Sequence, residues 1–120
     1  MTQPTIYGLK NCDTCRKARK WLEAHKLAFR FVDYRDDPVS APTLKRWAVA
    51  VGGWDALINR RSATWRQLSE VERDARSDAA WLRLASAHPT LVKRPVLVDG
   101  KTIQIGFSDA AWRTHFEGSQ

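Results

Sequence analysis

The N-terminal part of the chain changes from a strand-like to a helix-like arrangement of apolar positions. Residues 5–8 (TIYG) form a short β-branched and aromatic run that ends in glycine, which predicts a strand followed by a turn. Residues 13–26 contain no proline or glycine, and their apolar side chains recur at helical spacing, so they predict an amphipathic helix. Residues 28–34 predict a second strand. In one sheet, this β-α-β order means two parallel strands joined by a right-handed crossover.

The middle of the chain, residues 36–88, has the pattern of several short helices. Ser40 is the type of residue that caps a helix N-terminus, and residues 43–51 continue as a helix until two glycines stop it. Pro38 and Pro42 are expected in the loop before that helix. Further helices are predicted at residues 54–58, at 69–72, where Ser69 and Glu72 have capping-box spacing, and at 78–88.

The last third of the chain returns to strands and ends in a helix. Two apolar runs, residues 95–98 and 102–105, flank the Asp-Gly at 99–100, a pattern typical of a β-hairpin with a two-residue turn. Ser108 then caps a predicted helix over residues 109–117. The order β-α-β, helices, β-β-α therefore predicts an α/β fold with a mixed four-stranded sheet and helices packed on it.

Length and composition limit the organisation of this fold. A chain of 120 residues with 43% hydrophobic composition and no linker rich in Gly or Ser is expected to form one domain over residues 1–120, with a helical insertion at about 36–88. The chain has no apolar run near the ~18 residues of a membrane span, and its N-terminus lacks the plan of a signal peptide. We therefore expect a cytoplasmic monomer that does not bind membranes.

The chain contains two cysteines, Cys12 and Cys15, with Cys-x-x-Cys spacing. A zinc site normally needs three or four protein ligands, and the three histidines stand at no ligand spacing from this pair, so no metal is expected. A Cys-x-x-Cys between a strand and a helix is instead a candidate for redox chemistry. The pair therefore predicts thiol chemistry at the start of the first helix.

The predicted helix start assigns different roles to the two thiols. Cys12 would lie at the positive end of the helix, where a thiolate is favoured, and Lys10 and Arg16 add cationic charge nearby in sequence. Cys15 falls on the inward face of the same helix. We therefore expect Cys12 to be the attacking thiol and Cys15 a more buried resolving thiol. The alternative is that Cys15 is only a small core residue.

Five segments of the chain form an ordered set of motifs: YGLKNCDTCRKA at 7–18, LINRRS at 57–62, TWRQL at 64–68, KRPVLV at 93–98 and GFSD at 106–109. Together they resemble the ArsC/Spx/YffB family of thioredoxin-fold proteins. Any one of them is a weak signal, whereas the ordered set spans nearly the whole chain. The GWDAL stretch at residues 53–57 is most similar to the YffB-like branch.

The resemblance implies a thioredoxin-like core with a helical insertion and a set of site residues. Cys12 would be the redox-active cysteine, and Pro95 would have a cis peptide bond and face it. Arginines in such sites hold an oxyanion, and Arg94 corresponds to one of them by motif position. A second corresponds to either Arg60 or Arg61, and we favour Arg61. A guanidinium suits this role because it is permanently charged and offers paired donors.

Three functions are compatible with these residues. The first is a thiol–disulfide oxidoreductase that carries no bound cofactor, uses glutathione as co-substrate, and acts on a small anionic thiol or an oxyanion. The second is an arsenate reductase served by glutaredoxin. Two departures weaken this reading: Phe107 stands where those enzymes carry a further arginine, and Cys15 stands where they usually carry serine.

The third function is a redox-sensing regulator like Spx, which binds the C-terminal domain of the RNA polymerase α subunit. Cys12 with Cys15 fits this branch, as does the glycine pair at 52–53, although the chain ends soon after its last predicted helix. The formal charge of +7 by itself would suit a nucleic-acid partner, but the aromatic residues are not interleaved with arginines on a strand face and no nucleic-acid motif is present. Direct nucleic-acid binding is therefore not expected. The charge suits anionic substrates better.

Overall fold

The computed structural model describes residues 3–118, which form two compact units. Residues 3–32 and 94–118 make up the sheet unit, and residues 33–93 make up the helical unit. The expectation of a single domain with a helical insertion stays a prediction. In chain order the elements are β1 Thr5–Gly8, α1 Asp13–Ala24, β2 Arg30–Asp33, α2 Ala41–Ala50, α3 Trp54–Leu57, α4 Ala63–Gln67, α5 Glu70–Arg73, α6 Asp78–Ala87, a 3-10 turn Pro89–Leu91, β3 Val96–Asp99, β4 Thr102–Ile105 and α7 Asp109–Gly118.

The four strands form one sheet in the order β2-β1-β3-β4. β3 runs antiparallel to both β1 and β4. The N–H of Arg30 donates to the carbonyl of Pro4 at 2.9 Å, so β2 and β1 start at the same edge of the sheet and run parallel. This arrangement confirms the expected thioredoxin-like α/β fold with a mixed four-stranded sheet.

The core of the sheet unit lies where α1 and α7 pack on the sheet. Ile6 of β1 and Leu97 of β3 are fully buried against Ala18 and Leu22 of α1. Trp112 of α7 completes this cluster, and its indole Nε1 donates to the carbonyl of Gly106 at 3.2 Å. The buried face of α1 is the one that the helical spacing predicts.

The helical unit has its own core around Trp81 of α6. The rings of Trp54 and Trp65 stack on Trp81 at centroid distances of 6.3 and 6.1 Å. Ile58 and Val92, both buried, form an isolated antiparallel bridge in this unit, and Ile58 belongs to the same cluster as Trp81. Burial of large aromatic side chains therefore holds together a segment whose individual helices are only 4 to 10 residues long.

Two local expectations are wrong in detail. Pro42 lies inside the first turn of α2, not in the loop before it, because a proline at that position lacks an N–H that the helix would leave unpaired anyway. In the hairpin, Asp99 still pairs with Thr102, so Gly100 and Lys101 form the two-residue turn. Gly100 there adopts a φ of +60°, which glycine tolerates without steric cost.

The caps that the sequence predicts are confirmed. The hydroxyl of Ser40 accepts the N–H of Thr43 at the start of α2, and that of Ser108 accepts the N–H of Ala111 at the start of α7. The capping box of Ser69 is also present. Within residues 3–118, no helix has both the length and the apolar character needed to cross a membrane.

The core of the sheet unit leads to a test of stability. We expect Leu22→Ala to lower the free energy of unfolding by about 2–5 kcal/mol, because it removes a fully buried side chain from a packed cluster. Urea denaturation followed by circular dichroism measures this loss. Lys20→Ala, an exposed change on the same helix, is the matched control and should alter stability little. Equal losses for the two variants would contradict the assignment of this core.

Candidate thiol site

Cys12 is the N-cap residue of α1. Its backbone is extended, with φ −112° and ψ 124°, and its carbonyl accepts the first helical hydrogen bond from the N–H of Arg16 at 2.9 Å. The side chain is partly exposed. The first amides of a helix have no partner within the helix and carry the positive end of its dipole, so this position favours a thiolate, as the sequence predicts.

Cys15 lies one turn further along α1 and is completely buried. Its side chain packs against the end of β1, where Gly8 leaves open the space that the sulfur occupies. Reagents in solution therefore reach the pair through Cys12.

Arg94 approaches the pair from just before the start of β3, next to Pro95. The peptide bond between Arg94 and Pro95 is cis, as the family resemblance implies. That Pro95 faces Cys12 stays a prediction. Pro95 is fully buried, and its carbonyl accepts the N–H of Gly106 at 2.8 Å. The guanidinium of Arg94 hydrogen-bonds with the sulfur of Cys12. Two segments far apart in the chain thus meet at this cysteine.

The surroundings of Cys12 lower the pKa of its thiol. Partial burial by itself raises the pKa, but the main-chain amide and the thiol of Cys15, together with the hydrogen bond and positive charge of Arg94, outweigh it. A lower pKa enlarges the fraction of thiolate at neutral pH, and the thiolate is the nucleophilic form of cysteine.

The neighbouring thiol is affected in the opposite direction. Burial raises the pKa of Cys15 to about 11, and the sulfur of Cys12 raises it too, against the opposing effects of the Leu9 amide and Arg94. At pH 7 the Cys15 side chain is predominantly the protonated thiol. Cys15 is therefore a thiol that can hydrogen-bond with the Cys12 sulfur, and the arrangement suits stepwise thiol–disulfide exchange.

The other two cations expected beside the thiols, Lys10 and Arg16, are both exposed. Arg16 forms an ion pair with Asp13 on the first turn of α1. Among residues 3–118, Arg94 is the cationic side chain that acts on the pKa of Cys12. A role for Lys10 or Arg16 in binding an anionic substrate stays a prediction.

Arg60 and Arg61 belong to the helical unit and are both exposed. The guanidinium of Arg60 pairs with the carboxylate of Asp55 and lies over the ring of Trp65, 5.4 Å from its centroid. The N–H of Arg61 donates to the side chain of Asn59 at 3.0 Å, which fixes its backbone. The contacts of Arg60 thus involve its guanidinium, whereas the hydrogen bond between Arg61 and Asn59 involves the main chain of Arg61.

Gly8 is a site residue whose role the sequence pattern does not show. The run that ends at Gly8 predicts a turn, whereas the structure places Gly8 as the last residue of β1, against Cys15. A glycine at a strand end has many common explanations, and only the packing of α1 shows that this one leaves room for a sulfur. Within residues 3–118, no cluster of three or more His, Cys, Asp or Glu side chains is arranged to hold a metal ion.

The fold and the site together define a thioredoxin-like α/β protein with a cysteine at the N-terminus of its first helix. The sequence profile of the ArsC family matches residues 7–115, so the chain belongs to the ArsC family. The family resemblance carried by the sequence motifs is thereby confirmed.

Relatives of known sequence fall into more than one group. The chain is 41% identical to an uncharacterised protein of Haemophilus influenzae over 93% of its own length and 97% of the relative's. It is 34% identical to the global transcriptional regulator Spx of Bacillus subtilis, over 88% of this chain and 80% of that protein.

Solved structures agree with the fold. The YffB protein has a TM-score of 0.86 and 37% identity, with 92% of this chain and 96% of that chain covered. An arsenate reductase (ArsC) related protein from Brucella melitensis has a TM-score of 0.74 and 40% identity, with 97% and 96% covered.

The contact between Arg94 and Cys12 leads to a test by alkylation. We expect iodoacetamide to modify Cys12 before Cys15, with a pH midpoint below that of an ordinary cysteine, because the thiolate is stabilised. Arg94→Ala should move the midpoint upward by about one pH unit, since an opposite charge is removed. Arg94→Lys should move it less, because the charge stays but the forked donor geometry is lost.

Lys101→Gln, which removes an exposed cation from the hairpin turn, is the control and should leave the midpoint unchanged. Peptide mass spectrometry locates the modified thiol at each pH. Preferential modification of Cys15 would reverse the assigned roles, and an unchanged midpoint in Arg94→Ala would remove Arg94 from the site.

Proposed function

We propose that this protein is a glutathione-coupled thiol–disulfide oxidoreductase in which Cys12 is the nucleophile. The observation that carries the proposal is the opposite effect of the site on its two thiols. The accessible Cys12 has a lowered pKa beside Arg94, and the buried Cys15 has a raised one. Groups with such different pKa values at one site are suited to different roles in a reaction.

In the first step, the Cys12 thiolate attacks one sulfur of a disulfide. A new S–S bond forms to Cys12, the original S–S bond breaks, and the leaving thiolate takes a proton from solvent. Arg94 stabilises the attacking thiolate and is positioned to pair with a carboxylate or oxyanion of the substrate. The helix N-terminus adds a positive potential at the same place.

In the second step, Cys15 or an external thiol attacks Cys12 and releases the second half of the substrate. The negative charge of Cys12 is one of the causes that raise the pKa of Cys15. Since a mixed disulfide on Cys12 carries no such charge, formation of the adduct favours ionisation of Cys15. Two molecules of glutathione then reduce the internal disulfide and are themselves oxidised to glutathione disulfide, so the electrons balance.

The remaining features of the proposal concern the substrate and the compartment. Because the guanidinium of Arg60 is already engaged with Asp55 and Trp65, Arg61 is the better candidate for a substrate anion. The reducing cytoplasm, where glutathione keeps thiols reduced, is the compartment that this chemistry needs. One copy of the chain carries both thiols and Arg94, so a monomer is sufficient.

The proposal is tested by turnover and by intact mass. In an assay that couples disulfide reduction by glutathione to NADPH consumption, Cys12→Ser should lose activity, because no nucleophile remains. After exposure to oxidised glutathione, Cys15→Ser should retain a mixed disulfide, whereas the wild type should pass on to an internal disulfide. Thr14→Ser, a change at an exposed position between the cysteines, is the matched control and should behave as wild type.

Disulfide turnover that survives Cys12→Ser would overturn the mechanism. Arsenate serves as a second substrate in the same assay with glutaredoxin added, because the chain is similar to an arsenate reductase related protein. We expect little arsenate-dependent consumption of NADPH, since Phe107 stands where the arsenate enzymes carry an arginine. Rapid consumption with arsenate would make the oxyanion the substrate.

The second candidate function is redox-sensing regulation, and the similarity to Spx of Bacillus subtilis favours it. In that case Cys12 and Cys15 would act as a switch and the partner would be the C-terminal domain of the RNA polymerase α subunit. A pull-down with that purified domain, using reduced and oxidised protein, separates the two functions. Tight binding that depends on the redox state, without disulfide turnover, would show that the protein is a regulator and would overturn the proposed enzymatic function.

A further inference from the structure

Gly8 stands at the closest approach of β1 to α1. It is buried, and its backbone lies outside the left-handed region, so its conformation alone would accept any residue. The restriction is one of space. A Cβ atom built on Gly8 would lie 2.5 Å from the Sγ atom of Cys15, far inside van der Waals contact.

The conflict would be confined to that sulfur. The same Cβ would be 3.5 Å from the Cβ of Cys15 and 3.7 Å from Cε1 of Phe31, both ordinary contact distances. Cys15 is completely buried and its main chain is held within α1, so the sulfur could move away only by rotation about the Cα–Cβ bond.

The present position of the Cys15 sulfur also allows it to interact with the sulfur of Cys12. In its present rotamer, Cys15 receives the N–H of Leu9 and hydrogen-bonds with the sulfur of Cys12. Rotation away from a methyl group on residue 8 would break both interactions. The sulfur would then no longer lie beside Cys12.

We propose that Gly8 is a positioning residue: by leaving space for the sulfur, it allows Cys15 to adopt the rotamer able to close a disulfide with Cys12. The inference rests on the proposed thiol–disulfide function and deepens it. It names Gly8 as the residue that determines whether Cys15 or an external thiol resolves the mixed disulfide on Cys12. With Gly8 present, the mixed disulfide on Cys12 is resolved internally. A side chain at position 8 forces the Cys15 sulfur into another rotamer, and the mixed disulfide on Cys12 is then resolved only by an external thiol.

The internal route balances as follows. Cys15 gives its proton to solvent and attacks Cys12, the Cys12–substrate S–S bond breaks, and the substrate thiolate leaves and takes up a proton. The two protein thiols lose two electrons, and the disulfide substrate gains them. Attack of this kind depends on a near-linear approach at short distance, so a displaced sulfur slows it strongly.

The test compares the lifetime of the adduct in four proteins: wild type, Gly8→Ala, Cys15→Ala and Gly8→Ala/Cys15→Ala. Each protein is exposed briefly to oxidised glutathione and quenched with acid, and its intact mass is measured by mass spectrometry. We expect Gly8→Ala to hold the mixed disulfide about tenfold longer than wild type or more, because the intramolecular attack loses its geometry. Cys15→Ala and the double variant should hold it equally long, since neither contains the resolving sulfur.

Thermal unfolding of the same four proteins separates the clash with the sulfur from a general effect on packing. Gly8→Ala should lower the melting temperature when it is made in the wild type. The same change should lower the melting temperature of Cys15→Ala much less, because the Sγ atom that clashes with the new methyl group is absent there. This comparison supports the inference even if Gly8→Ala alone is too unstable for kinetics. Equal losses in the two backgrounds would overturn it.

Internal closure in Gly8→Ala at the wild-type rate would likewise overturn the role of Gly8. A failure of the proposed function has a different signature. In that case Cys15→Ala would form no adduct on Cys12 with oxidised glutathione.

Discussion

The close packing of α1 on the sheet is the constraint on which the site depends. Its inward face buries Ala18 and Leu22 against Ile6 and Leu97, and this contact determines where the N-terminus of the helix lies. Cys12 is carried on that N-terminus, so burial of apolar surface several residues away positions a polar reacting group. Because protein interiors are packed to high density, a shift of α1 would also displace the two thiols.

The same constraint makes the two cysteines chemically different. They lie three residues apart on one helix, yet one projects from its N-cap beside a guanidinium while the other points into the interior. Burial and charge therefore move the two pKa values in opposite directions. An accessible thiolate next to a protonated thiol is suited either to catalytic exchange or to a reversible redox switch, and relatives named as reductase-related and as regulators occur at similar identity.

Local physics made much of this architecture predictable. The strand at residues 5–8, the amphipathic helix that follows it and the hairpin depend on side-chain periodicity and turn preferences within a few residues. The caps at Ser40 and Ser108 are equally local, since the hydroxyl bonds an amide three residues on. The misplaced Pro42 marks the limit of such reasoning, because a proline is compatible both with a loop and with a first helical turn.

The sequence by itself determined that a thiol pair opens the first helix of an α/β protein, because residue spacing and element order carry that information; its family motifs implied the thioredoxin-like fold. Only the tertiary structure decided which groups act on the pair. The contact of Arg94 with Cys12 joins positions 82 residues apart, and the raised pKa of Cys15 depends on complete burial. Gly8 acquires its meaning in the same way, since the space that it leaves is occupied by a sulfur from the next element. Such effects arise from packing between elements, which periodicity within one element does not encode.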